Sequence, residues 1–279
     1  MIESTVLYIW SVCVLTIQLL FVLLVPGLIL GGLLQLFSNR LRSKMAQFMG
    51  TNAFVYLTFP GVIIHELGHA LFCLIFRHEI VEMKLFSPEN DGTLGYVNHR
   101  YNPRNHYQMA GLFFIGTGPI WLGALTIFFL SKILLPEASH HFEFNQETLD
   151  PSIMGIIHVG WKIFISSLKS STIFLSPDIW GHWQMYVWIY FIFAIGSHIT
   201  LSAPDMSGAY TGFFSLTGLI FIINLLTTWI SPPPLFWLQN TFFKYFAMVY
   251  GILLFTLLLI ISLNILFSFI FACLRIRKD

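Results

Sequence analysis

Long apolar runs separated by short polar stretches dominate the chain, and most are far longer than a strand, which predicts helices. Six runs are long enough to cross a bilayer: 5–37, 52–76, 109–135, 185–201, 205–230 and 243–274. The first is broken by Pro26-Gly27 and Gly31-Gly32 and exceeds the roughly 20 residues a crossing needs. A basic loop with Arg40, Arg42 and Lys44 follows it. Between the second and third runs the pattern changes. Residues 79–86 alternate polar and apolar, 93–101 are rich in strand formers, and Ser87-Pro-Glu-Asn-Asp-Gly92 supplies the turn. That predicts a β-hairpin at the membrane surface.

The stretch 136–184 is mixed. It opens polar, with His140, His141, Glu143, Glu147 and Asp150, and continues at 152–168 as an apolar segment carrying Lys162, with Lys169 just beyond, which suits an interfacial helix. Trp180, Trp183 and Trp188 mark headgroup level. Pro232-Pro-Pro234 stops the fifth run, and the sixth ends in Arg275, Arg277 and Lys278. Three parts follow: an N-terminal span and basic loop at 1–51, a membrane core at 52–230, and a C-terminal helix and basic tail at 231–279.

Composition agrees with the pattern. The 279 residues are 56% hydrophobic and 10% charged, against about 25% charged in soluble proteins. The expected class is an all-α, multi-pass integral membrane protein with about six transmembrane helices and a small surface hairpin, its medium the lipid bilayer. Six crossings put both termini on one side. Positive-inside counting sets Arg77, Lys84, Arg100, Arg104 and the tail against Arg40, Arg42, Lys44, Lys162 and Lys169, which leaves orientation open. The net charge of +1 is uninformative about partners, and the few, scattered basic residues, mostly flanking apolar runs, point to no nucleic-acid partner. Cys13, Cys73 and Cys273 lack metal-type spacing and read as buried hydrophobes. The apolar N-terminal run is too long for a cleaved signal, and no basic region precedes it.

Three polar residues interrupt the second run: His65, Glu66 and His69. At helical spacing His65 and His69 share a face, so both imidazoles reach one metal ion. Glu66 projects about 100° away, where it can take a proton from an activated water without being a ligand. Eight residues separate His69 from Arg77, about 12 Å of helix, so the site lies inside the hydrocarbon but off its centre. A catalytic zinc site usually has three protein ligands. Of the 13 acidic residues, only Glu66 and Asp205 lie within or at the mouth of an apolar run. Burying a carboxylate is costly unless it is paired or bound to metal, which makes Asp205 the leading third ligand and a helix N-cap its plainer role. His198 competes. It stands at i, with Ser202 at i+4 and Asp205 at i+7, and reads as a ligand, an Asp205 partner, a transition-state stabiliser or an ordinary core histidine.

These residues resemble the intramembrane zinc metalloproteases of the site-2 protease type. The likeness rests on His65-Glu-Leu-Gly-His69 in a membrane helix, on Gly118-Pro119 (similar to the family's Gly-Pro-x-x-Asn element), and on Leu201-Ser-Ala-Pro-Asp-Met-Ser-Gly208 (similar to its Leu-Asp-Gly motif). Leu122 and Met206 depart from those patterns, as in a divergent member. The resemblance implies Zn²⁺ held by His65, His69 and Asp205, with Glu66 as the catalytic base. It further implies hydrolysis of a peptide bond in a membrane protein or peptide, in the cell (inner) membrane.

The outer edge of the hairpin, Glu79, Val81, Met83 and Leu85, is the expected docking strand for an unwound substrate; a loop that caps the bundle is the alternative. His99 and His106 read as loop residues, and His140-His141 as surface histidines. Gly116, Gly118 and Gly123 are expected to let helices approach closely. Rival readings are a membrane zinc hydrolase acting on a lipid or other amide, and an inactive scaffold or transporter.

Overall fold

The computed structural model describes residues 2–89, 92–136, 154, 157–158, 161, 164–165, 177–227 and 234–274. His140, His141, Glu143, Glu147, Asp150, Lys162, Lys169, Pro232, the turn residues Asn90 and Asp91, and the tail residues Arg275, Arg277 and Lys278 lie outside the described residues, as does most of the expected interfacial helix. The described chain is mostly helical with one two-stranded sheet.

Helix α1 (Ile2–Met49) runs 48 residues through Pro26, about 72 Å at 1.5 Å per residue. The basic loop expected after residue 37 is therefore helix. Two of its three charges find partners far along the chain, Arg42 at His198 and Lys44 at residues 264–268. Lys44 Nζ donates to the Asn264 carbonyl (2.9 Å) and to Ser268 Oγ (2.6 Å), and Asn264 Nδ2 donates to the Phe37 carbonyl (2.9 Å). Gly50, at φ 89°, turns the chain into α2 (Thr51–Leu57). The second expected span is this helix followed by α3 (Phe59–Ile75), with a 62° bend between them at Thr58. Pro60 sits in the first turn of α3, where a missing N–H costs nothing.

Strands β1 (Glu79–Lys84) and β2 (Tyr96–Arg100) form the expected hairpin, antiparallel, with an irregularity between Ile80 and Glu82. Helix α4 (His106–Leu134) is capped by Asn105 Oδ1, which accepts from the Tyr107 and Gln108 N–H groups. After the one-turn helix Pro177–Trp180 come α5 (Trp183–Gly196), α6 (Ala203–Thr227) and α7 (Pro234–Cys273).

Among the described residues, four helices are long and apolar enough to cross a membrane, or five if the bent pair is one span. The expected fourth span, 185–201, is a 14-residue helix that stops at Gly196, about 21 Å long against the 30 Å hydrocarbon. Residues 197–202 are irregular, and α6 restarts at Ala203.

The core draws on all three expected parts. Leu34 and Leu41 of α1, Ile120 and Ile127 of α4, Trp188 and Ile192 of α5, and Tyr250 and Phe255 of α7 pack into one cluster. Trp188 is buried in the bundle, its Nε1 donating to Ser131 Oγ (2.9 Å), whereas Trp180 and Trp183 are exposed. Helices α3 and α4 touch backbone to backbone. A Cβ at Gly118 would lie 2.5 Å from the Gly68 carbonyl oxygen, and one at Gly116 would lie 2.4 Å from that of Asp205. Small residues here draw α3, α4 and the start of α6 around one point.

Candidate metal centre

That point holds His65, His69 and Asp205. His65 Nε2 and His69 Nε2 are 3.2 Å apart. Asp205 Oδ1 is 3.4 Å from His69 Nε2, and Oδ2 is 3.9 Å from His65 Nε2. These ligand atoms all lie within 4.8 Å of one another and could hold a metal ion. Two nitrogens at the ~2.05 Å typical of zinc, in a tetrahedron, stand about 3.3 Å apart, so the observed spacing fits such an ion.

The ring tautomers strengthen the case. His65 Nδ1 lies 2.8 Å from the His198 carbonyl, and His69 Nδ1 lies 2.7 Å from the Ile115 carbonyl. A carbonyl only accepts, so each Nδ1 carries the proton and each neutral ring turns a lone pair at Nε2 toward the other. Two lone pairs at 3.2 Å repel unless a metal ion or a proton lies between them. Hydrogen bonding at the far nitrogen is also how metal-binding histidines are generally oriented.

Both carbonyls lack the helical N–H partner four residues on, for a local reason, although the Thr200 N–H does donate to that of His198 (2.8 Å). In α4 the Ile115 carbonyl would normally accept from the residue four positions on. That residue is Pro119, which has no N–H. The His198 carbonyl would take the Ser202 N–H if α5 continued. The Ser202 N–H instead donates to Asp205 Oδ2 (2.8 Å), and the Asp205 N–H donates back to Ser202 Oγ (3.3 Å). This reciprocal pair is a capping box. Asp205 is thus both the cap partner of α6 and a member of the histidine cluster, roles the sequence had set as alternatives.

His198 is 5% exposed and does not line the cavity. Its Nε2 is 2.9 Å from Thr58 Oγ1, which itself donates to the Phe54 carbonyl, so the imidazole is the donor. Its Nδ1 then accepts from Arg42 Nη2 (3.4 Å). With both nitrogens engaged, His198 reaches the cluster through its carbonyl alone. Arg42, expected in a loop, comes within one residue of the site.

A cavity of ≈ 500 Å³ opens onto the cluster, lined by Glu66, Ser202, Gly208 and the hairpin residues Thr93 and Gly95 to His99. Glu66 is 7% exposed and accepts no hydrogen bond from a described residue. Side chains alternate across a strand, so four consecutive lining residues, Tyr96 to His99, mean that β2 borders the cavity with its edge. The expected docking residues are on β1, where Glu79, Val81 and Met83 are exposed and Leu85 follows the strand; none of them lines the cavity. His99, read from sequence as a loop residue, lies in β2 and does line it. Its signal is the position within 93–101, the stretch rich in strand formers. No family model matches the chain, and no curated protein or solved structure does either.

Proposed function

We propose that this protein is an intramembrane zinc-dependent endopeptidase of the site-2 protease type, hydrolysing a peptide bond of a membrane-embedded or membrane-proximal substrate. The observation that carries the reading is the pair of Nε2 lone pairs 3.2 Å apart, faced by the Asp205 carboxylate and flanked by Glu66 in one cavity. In this reading His65, His69 and Asp205 hold the ion. Bound zinc supplies Lewis acidity, bringing water within reach of deprotonation near neutral pH and polarising the scissile carbonyl.

Glu66 does the proton work. It takes the proton of the attacking water and delivers it to the leaving amine, and the absence of a hydrogen-bond partner among the described residues leaves it free to do both. A substrate helix must unwind first, because its carbonyls are engaged. The strand edge along the cavity favours a peptide over a lipid: an extended segment can pair with β2 at Tyr96 to His99. The reading includes six crossings, counting α5 and the bent pair, in the cell (inner) membrane.

The test is zinc per chain in detergent-purified protein. About one zinc in wild type, kept in Glu66→Gln and lost in Asp205→Ala, supports the ligand set. Zinc that survives Asp205→Ala but is lost in His198→Ala removes Asp205 from it.

A further inference from the structure

The hairpin carries a second histidine pair that the hydrolytic scheme leaves unused. His78 is 4% exposed, packed under Tyr101 (ring centroids 5.2 Å apart, 19° between planes). Its Nε2 is 2.9 Å from the Gln108 carbonyl, and its Nδ1 is 3.1 Å from His99 Nδ1. The chain of donors has one solution for neutral rings. The Gln108 carbonyl accepts, so His78 carries its proton on Nε2 and offers a lone pair at Nδ1. His99 must then donate from Nδ1, which leaves its own lone pair on Nε2. Burial holds both rings below the ordinary histidine value, helped at His99 by the neighbouring His78 and His69, so neutral rings are the right starting point. His99 Nε2 makes no hydrogen bond to a described residue, and His99 lines the cavity of the metal centre. A buried histidine whose two nitrogens are spent on fixing a neighbour's tautomer is an expensive way to fill space.

We propose that His99, with its tautomer set by His78, is a further substrate-contacting residue whose Nε2 accepts a hydrogen bond from a substrate N–H. The inference rests on the metal-hydrolase reading and deepens it, because an N–H donor is present in a peptide and missing from a carboxylic ester.

The full chain, purified in detergent and loaded with zinc, is titrated with two chelating probes. One is a dipeptide hydroxamate; the other is its depsipeptide analogue, with an ester oxygen in place of the backbone N–H. Wild type is expected to prefer the amide probe about tenfold, the scale of one well-placed hydrogen bond. His99→Phe is expected to abolish that preference while leaving zinc content and depsipeptide affinity unchanged. His99→Gln, which keeps an acceptor, is expected to retain part of it. His78→Phe, which leaves His99 in place but frees its tautomer, is expected to reduce it. A wild type without preference, or a preference that survives in His99→Phe or His78→Phe, overturns the inference and leaves the metal reading standing. Zinc-loaded wild type that binds neither probe overturns both.

Discussion

The Nε2 atoms of His65 and His69 stand 3.2 Å apart while each Nδ1 is committed to a backbone carbonyl. That arrangement is held against lone-pair repulsion, so a cation between the rings should stabilise the fold. At free zinc a hundredfold above its Kd, the gain is about 2.7 kcal/mol. Thermal unfolding in detergent, with zinc and after chelation, should show a lower Tm for the stripped protein. An unchanged Tm would count against a metal at this place.

Pro119 bears on His69 through the Ile115 carbonyl. Pro119→Ala restores an N–H four residues after Ile115, and that N–H competes with His69 Nδ1 for the Ile115 carbonyl. Loosening a metal-binding histidine in this way typically costs about 10- to 100-fold in affinity. The expected outcome is weaker zinc binding by competition with a chromogenic chelator, with helix content by circular dichroism unchanged or slightly higher. Undiminished zinc affinity would show that the carbonyl has no orienting role.

Thr58 and Arg42 hold His198 from opposite sides. Thr58→Val keeps the shape of a fully buried side chain but leaves the His198 Nε2–H without an acceptor. A buried donor left unpaired costs about 1–3 kcal/mol, to be read as a lower Tm. Arg42→Met should cost less, because burial already penalises the charge and the Nε is buried without a partner. A larger loss in Arg42→Met than in Thr58→Val would reverse that ranking.

His78 makes the hairpin sensitive to acid. Burial depresses its folded pKa below the ordinary value near 6.5. The unfolded chain therefore takes up a proton before the folded one does. The contribution of His78 is complete above the unfolded value and is lost as pH falls through the folded one. Wild type should lose stability between pH 7.5 and pH 5, and His78→Gln should lose less over the same range. Equal slopes for the two proteins would sink this account.

Glu66→Gln separates binding from chemistry. Zinc content should stay at the wild-type value, while peptide hydrolysis falls by about 10²- to 10⁴-fold, the usual worth of a positioned acid–base group. Loss of zinc in this variant would make Glu66 a ligand rather than a base.

Sequence alone determined what depends on composition and local spacing. The apolar runs located the helices though not their ends, the alternation at 79–86 with the strand formers at 93–101 placed the hairpin, and the four-residue step from His65 to His69 put two imidazoles on one face, since helical periodicity is a local property. Burial cost singled out Asp205 from 13 acidic residues. Other features needed the tertiary structure, because each depends on a partner distant in the chain. The basic stretch after residue 37 is helix, and Asn264 and Ser268 receive its Lys44 from more than 200 residues away. The fourth run stopped at Gly196 and left the His198 carbonyl without its helical partner at Ser202, open to His65 Nδ1, a role no property of His198 itself announces. Strand β2 rather than β1 borders the cavity, and His99 lies on it, because alternation fixes which residues share a face and not which edge of a hairpin meets the bundle.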